Sequence, residues 1–162
     1  MSQTAAKKIV YIDMDNTLVD FTSAFPKLDP AVFDAYDDKD NIPGIFALMD
    51  PMPGAIEAVH ELAPLFDLYV LSTAPWANPS AWHDKVEWIK KHFGEGDESP
   101  LYKRLILSHH KHLNRGDFLV DDRPHARGAE RFHEYGGEVI HFGEGGTHTT
   151  WPAVVEYLKE RA

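Results

Sequence analysis

Residues 7–21 read KKIVYIDMDNTLVDF. Lys7 to Ile12 reads as a short buried strand. Two carboxylates, Asp13 and Asp15, follow it directly. In open α/β sheets, ligands bind at the carboxyl ends of the strands. The stretch therefore predicts a first strand that delivers paired acids to a working edge.

The rest of the chain supplies the remaining layers. Pro53 to Leu65 reads as a helix, with Ile56, Val59, His60, Leu62 and Ala63 on one face. Asp67 to Leu71 is a second strand. Asn78 to Phe93 is a helix whose core face is Trp82, Val86, Ile89 and Phe93, stopped by Gly94. Arg104 to Leu107 and Asp117 to Val120 are the third and fourth strands. His125 to Tyr135 reads as a helix ended by Gly136 and Gly137, and Glu138 to Phe142 as the fifth strand. Thr150 to Arg161 is an amphipathic helix through Trp151, Val154, Val155 and Leu158. Strands alternating with helices predict a parallel α/β sheet covered on both faces.

One stretch breaks the alternation. Phe21 to Met52 is too long for a strand-to-helix turn, which usually takes about 2–6 residues. It carries Asp34, Asp37, Asp38 and Asp40 beside Phe21, Phe25, Phe33, Tyr36, Ile45 and Phe46. It reads as a small, mainly helical insertion over the sheet edge. This divides the chain into a core domain of residues 1–20 and 53–162 and a cap of residues 21–52. The acidic cluster reads as a solvated helix face.

Composition narrows the function. The 162 residues are 43% hydrophobic and 26% charged, the balance of one globular domain. There is no Cys, which excludes disulfides, zinc-thiolate and iron–sulfur sites and a thiol nucleophile. The formal net charge of −10 argues against a nucleic-acid polymer as partner. No apolar run approaches the roughly 20 residues that span a bilayer. The polar start, Met1 to Lys8, has no apolar signal region. A cytoplasmic protein without membrane contact is expected.

The polar residues past the other strands complete the site. Ser72 and Thr73 follow the second strand, Lys111 the third, and Asp121 and Asp122 the fourth. Clustered carboxylates repel one another unless a cation compensates. A hard divalent ion such as Mg²⁺ takes one or two carboxylates together with phosphate and water. A free carboxylate beside it could attack phosphorus, and a second, two residues on, could serve as general acid and then general base. A hydroxyl and an ammonium could hold the phosphoryl oxygens.

These pieces, DMDNT at 13–17, ST at 72–73, Lys111 and DD at 121–122, resemble the four ordered motifs of the haloacid dehalogenase superfamily. Within it, the chain resembles the 5′(3′)-deoxyribonucleotidases through DMDNTLVDF at 13–21, PMPGAIEAV at 51–59, STAPW at 72–76, VEWIKKHFG at 86–94 and LVDDRP at 119–124. The resemblance implies a Rossmann-like three-layer α/β/α fold with a cap after the first strand. It implies a Mg²⁺-dependent phosphatase acting on deoxyribonucleoside monophosphates through an aspartyl-phosphate. Asp13 matches the nucleophile and Asp15 the acid/base, with the Asp15 backbone carbonyl on the metal. Asp122 matches a carboxylate ligand, with Asp121 supporting the metal shell that also includes Asp13. Thr73, with Ser72, and Lys111 match the phosphate-holding groups. Phe21 falls in the nucleoside site and Phe46 at its aromatic wall. The cap is shorter than in the mammalian versions, which bears on base preference.

Other residues have blander readings. Arg123 stands within reach of a phosphate or of a neighbouring carboxylate. His109, His110 and His112 read as loop residues rather than metal ligands. Trp76 and Trp82 read as structural, and the GEGG run at 143–146 as a loop. Three further functions compete: a phosphatase for another small metabolite, a phospho-Asp receiver, and a non-catalytic nucleotide-binding module. The sequence leaves the oligomeric state open, a homodimer included.

Overall fold

A computed structural model describes residues 6–162. Residues 1–5, most of the polar start and the beginning of the first core segment, lie outside the described residues. Along the chain run β1 (Ile9–Ile12), β2 (Val19–Asp20), α1 (Pro30–Asp34), β3 (Asp50–Pro51), α2 (Ala55–Leu62), β4 (Asp67–Ser72) and α3 (Pro79–Phe93). They are followed by β5 (Leu105–Leu107), β6 (Phe118–Asp121), β7 (Glu138–His141) and α4 (Trp151–Lys159). Five of the strands form one parallel sheet in the order β5-β4-β1-β6-β7, so the stretch quoted first supplies its centre. This is the expected α/β architecture.

Alternation along the strands divides the core. Val10, Ile12, Leu68, Val70, Phe118, Val120 and Ile140 pack on one face with residues of α2, α3 and α4. Tyr11, Leu71 and Leu119 point the other way, against Ala129 and Phe132. That second layer is thin. The helix expected over His125–Tyr135 begins only at Ala129 and winds as a 3₁₀ helix to Tyr135. The cause is local: Arg127 and Gly128 both take positive φ, 57° and 89°, which breaks a right-handed helix.

Two helix faces differ from expectation. In α2 the buried positions are Ala55, Ala58, Val59 and Leu62, while His60 is exposed. In α3 they include Ala81, Lys85, Trp88, Ile89 and Phe93; Val86 is exposed and Trp82 half-buried. The face has turned to place a lysine inside.

The inserted segment is clasped at its base. β2 and β3 pair antiparallel, Val19 with Pro51 and Asp20 with Asp50, so its two ends meet. Between them lie α1 and three 3₁₀ turns, Phe21–Lys27, Lys39–Asn41 and Ile45–Leu48. Ala24, Ile42, Ile45, Phe46 and Met49 are buried in the same core as the sheet. The segment is pinned to α3, where Asn78 Nδ2 donates to the carbonyls of Asp40 (2.8 Å) and Ile42 (3.1 Å), and Trp88 Nε1 to that of Met49 (2.9 Å). Of the four acids read as a solvated helix face, only Asp34 lies in α1, and Asp40 turns into the site described below. Among the described residues, no helix is long and apolar enough to cross a membrane.

Candidate active site

The sheet fixes Asp13 by its backbone. Its N–H donates to the Val120 carbonyl at 2.9 Å, which extends the β1–β6 ladder by one residue. The chain then turns sharply: the N–H groups of Thr17, Leu18 and Val19 all point to the Met14 carbonyl at 2.8–3.0 Å. Asn16 takes φ 56° in this turn, a left-handed conformation that Asn tolerates better than most residues. The turn sets both Asp13 and Asp15 on the wall of one cleft.

Lys111 reaches the cleft from the loop after β5 because another loop passes very close to it. Its N–H donates to the Arg127 carbonyl at 2.9 Å. A Cβ on Gly128 would stand 2.7 Å from that same nitrogen, so only glycine allows the approach. The buried ammonium then donates to Asp13 Oδ1 at 2.9 Å and to Asp121 Oδ2 at 2.6 Å. Asp121 Oδ1 accepts from the Arg123 N–H at 2.8 Å. One oxygen from each of Asp13, Asp121 and Asp122 lies within 4.8 Å of the others.

This donor set is short of positive charge. Burial, and then repulsion from Asp13, raise Asp121 to about 6 despite Lys111. Burial followed by Asp13 and Asp121 raises Asp122 to about 7. Burial would lower Lys111, but the Asp13 and Asp121 carboxylates outweigh it and raise its pKa. Three clustered oxygen donors, two of them pushed up in pKa for want of counter-charge, fit a hard divalent cation. Among the described residues, no other group of three or more acids or histidines is arranged to hold a metal ion.

A pH effect follows. Unfolded carboxyl groups titrate near ~3.9. Between there and about 7 the folded chain therefore binds more protons at Asp121 and Asp122 than the unfolded chain does. Their contribution to stability is largest at low pH and is lost as pH rises through that window. In chelator, the melting temperature is expected to fall from pH 5 to pH 8. Added Mg²⁺ should remove most of that fall and release protons on binding. Thermal melts with and without the cation check this.

Asp15 faces the cleft differently. Its two carboxylate oxygens each accept from Lys85 Nζ at 3.0 Å, so it stands apart from the three clustered carboxylates. Burial raises its pKa first, Lys85 opposes this, and Asp13 adds to it. Lys85 was not legible as a site residue. Its signal was a charged residue four positions after Ala81 and three before Trp88, on a face otherwise buried.

The other expected residues divide. Phe21, Thr73 and Arg123 line the cleft, joined by Asn16, Asp40 and Arg127, which sequence reasoning missed. Thr73 Oγ1 donates to the Ser108 carbonyl at 2.8 Å, so it must give up that bond to hold a phosphate. Arg123 Nε is 3.9 Å from Asp122 Oδ2, and the side chain is mostly exposed. Two of the expected residues stand back from the cleft. Ser72 does not line the cleft; it points with Val70 toward α3, and its Oγ accepts from Lys85 Nζ at 2.8 Å. Phe46 is buried at 2% exposure and lies behind the wall, its ring 5.9 Å from that of Phe21. His109 stands between Trp76 and Trp82, 6.0 Å from each, and His112 faces Arg131. Trp76 is 82% exposed, not a packed structural residue.

Comparison with known proteins gives concordant results. Residues 28–147 match the family model described as 5′ nucleotidase, deoxy (Pyrimidine), cytosolic type C protein. A protein of Vibrio phage KVP40, provisionally named a 5′(3′)-deoxyribonucleotidase, is 51% identical over 153 residues, covering 94% of this chain and 85% of its own. The human mitochondrial 5′(3′)-deoxyribonucleotidase is 27% identical, covering 75% of this chain and 64% of its own. Among solved structures, the provisionally assigned HAD-hydrolase YfnB of Bacillus subtilis, bound to magnesium, superposes with a TM-score of 0.59 at 12% identity. The match covers 94% of this chain and 99% of that one.

Proposed function

The chain belongs to the deoxy (pyrimidine) 5′ nucleotidase family of cytosolic type C and is a phosphoric monoester hydrolase, and from this premise we propose that it hydrolyses deoxyribonucleoside monophosphates through a phosphoryl group carried on Asp13. One observation carries the reading. The Asp13 carboxylate is held by Lys111, and Asp15, two residues on, faces the same cleft under the control of a second lysine.

The chemistry follows from these positions. A carboxylate oxygen of Asp13 forms a bond to phosphorus as the bond from phosphorus to the nucleoside oxygen breaks. The Asp15 carboxyl gives its proton to the leaving oxygen; the raised pKa of Asp15 keeps more of that acid form available. Asp15 then takes a proton from water as the water oxygen attacks phosphorus and frees Asp13. Lys111, and Thr73 once released from Ser108, hold phosphoryl oxygens. Asp13, Asp121 and Asp122, with the Asp15 carbonyl, would hold Mg²⁺, which when bound neutralises the carboxylates and the phosphoryl charge.

We read Phe21–Met52 as a cap domain that supplies the nucleoside side of the site. Phe21 lines the cleft and meets Phe25 and Phe46 edge to face at 5.7 and 5.9 Å, a rigid aromatic group behind one half-buried ring. Asp40 stands at the same wall and disfavours entry of longer polyanions. Phosphate release from a panel of deoxy- and ribonucleoside monophosphates and non-nucleotide phosphates, with and without Mg²⁺, tests the reading. Release from dUMP or dTMP that requires Mg²⁺ is expected; turnover only of non-nucleotide phosphates contradicts it. Stacking on an aromatic ring contributes about 1–3 kcal/mol per base, so Phe21→Ala should raise KM for nucleotides roughly 5- to 150-fold. Turnover of a small aliphatic phosphate should change little.

A further inference from the structure

Lys85 is buried at 0% exposure on α3, outside the four strand-end groups that perform the chemistry. Its ammonium is held at three points. It donates to both Asp15 oxygens at 3.0 Å and to Ser72 Oγ, from β4, at 2.8 Å. It also lies 4.6 Å from the centre of the Phe46 ring, from the inserted segment. Burying an ammonium is costly, and a buried ion pair seldom stabilises more than apolar side chains of similar volume. A methionine would fill this space without that cost, so packing alone does not account for a lysine here. What the lysine adds is orientation: an ammonium equidistant from both oxygens fixes the direction in which the Asp15 carboxyl points, with Ser72 and Phe46 fixing the lysine.

We propose that Lys85 is a positioning residue that holds the Asp15 carboxyl aimed at the oxygen leaving phosphorus, a role that rests on the acid/base reading of Asp15 given above. Positioned general acids contribute about 10²–10⁴-fold, and misplacement alone can cost about 10²-fold. The contribution depends on the leaving group. A nucleoside alkoxide needs a proton as it departs; p-nitrophenolate does not.

The experiment measures single-turnover release of leaving group and of phosphate, with enzyme in excess, for dTMP and p-nitrophenyl phosphate. The native protein is compared with Lys85→Met, Lys85→Gln and Asp13→Asn, each checked for folding by thermal melt. The glutamine variant keeps a polar donor and reads the same effect if methionine misfolds. With either Lys85 variant, thymidine release should slow ~10- to 100-fold while p-nitrophenolate release stays within about threefold. Phosphate release should then slow for both substrates, because Asp15 must also take the proton from water. Equal slowing of both leaving groups, or native rates throughout, would overturn the proposal. The parent reading is tested separately by Asp13→Asn: p-nitrophenolate release that survives there counts against Asp13, whatever Lys85 does.

Discussion

Asp13→Asn is expected to release no measurable phosphate from any nucleoside monophosphate, a loss on the order of 10⁴–10⁶-fold, as for removal of other enzymatic nucleophiles. The substitution is nearly isosteric and leaves the backbone bond to Val120 untouched. It removes one negative charge from a cluster in which Asp13 helps to raise both Asp121 and Asp122. The variant should therefore melt at least as high as the native protein in chelator while being inactive. Loss of activity through misfolding would show the opposite, so the two measurements together separate chemistry from stability.

Lys111→Met should cost about 10²–10³-fold in kcat, the range seen when a preorganised oxyanion-stabilising group is removed. The ammonium touches Asp13 and Asp121 together, so its loss acts on two carboxylates at once. It also removes the positive charge that opposes burial and repulsion at Asp121. A higher Mg²⁺ requirement should accompany the loss of rate. Lys111→Arg should recover only part of the activity, because a planar guanidinium cannot occupy the same point between two carboxylates. Steady-state kinetics across a Mg²⁺ titration checks both variants.

The sheet and the acids that line the cleft were legible because their signals are local. A short apolar strand followed at once by Asp13 and Asp15, or by Asp121 and Asp122, carries its own direction and its own edge. Lys85 was not legible, because a lysine in a helix reads as a solvated charge unless the buried face is known. That face was misread by one position: Val86 fits an apolar stripe with Trp82 and Ile89, yet the burial of Trp88 turns the helix and brings Lys85 inward. Ser72 could have been placed. Strand side chains alternate, and Leu68, Val70 and Ser72 share the face toward α3, which leaves Thr73 for the cleft. Phe46 and Phe21 could not be ranked from sequence. Which aromatic faces solvent depends on how the inserted segment folds back through the β2–β3 clasp. The shortened segment at 129–135 shows a backbone demand that periodicity misses, since Arg127 and Gly128 bend to seat Lys111.

The covalent role of Asp13 is the centre of the account, and trapping it is the most direct measurement. A single turnover of dTMP with Mg²⁺ would be quenched in acid, the acyl phosphate reduced with borohydride, and the peptides mapped by mass spectrometry. The expected result is reduction confined to Asp13, dependent on substrate and absent from Asp13→Asn. Phosphate release in the same samples with Asp13 unmodified at every time point, or modification at another carboxylate, would contradict it.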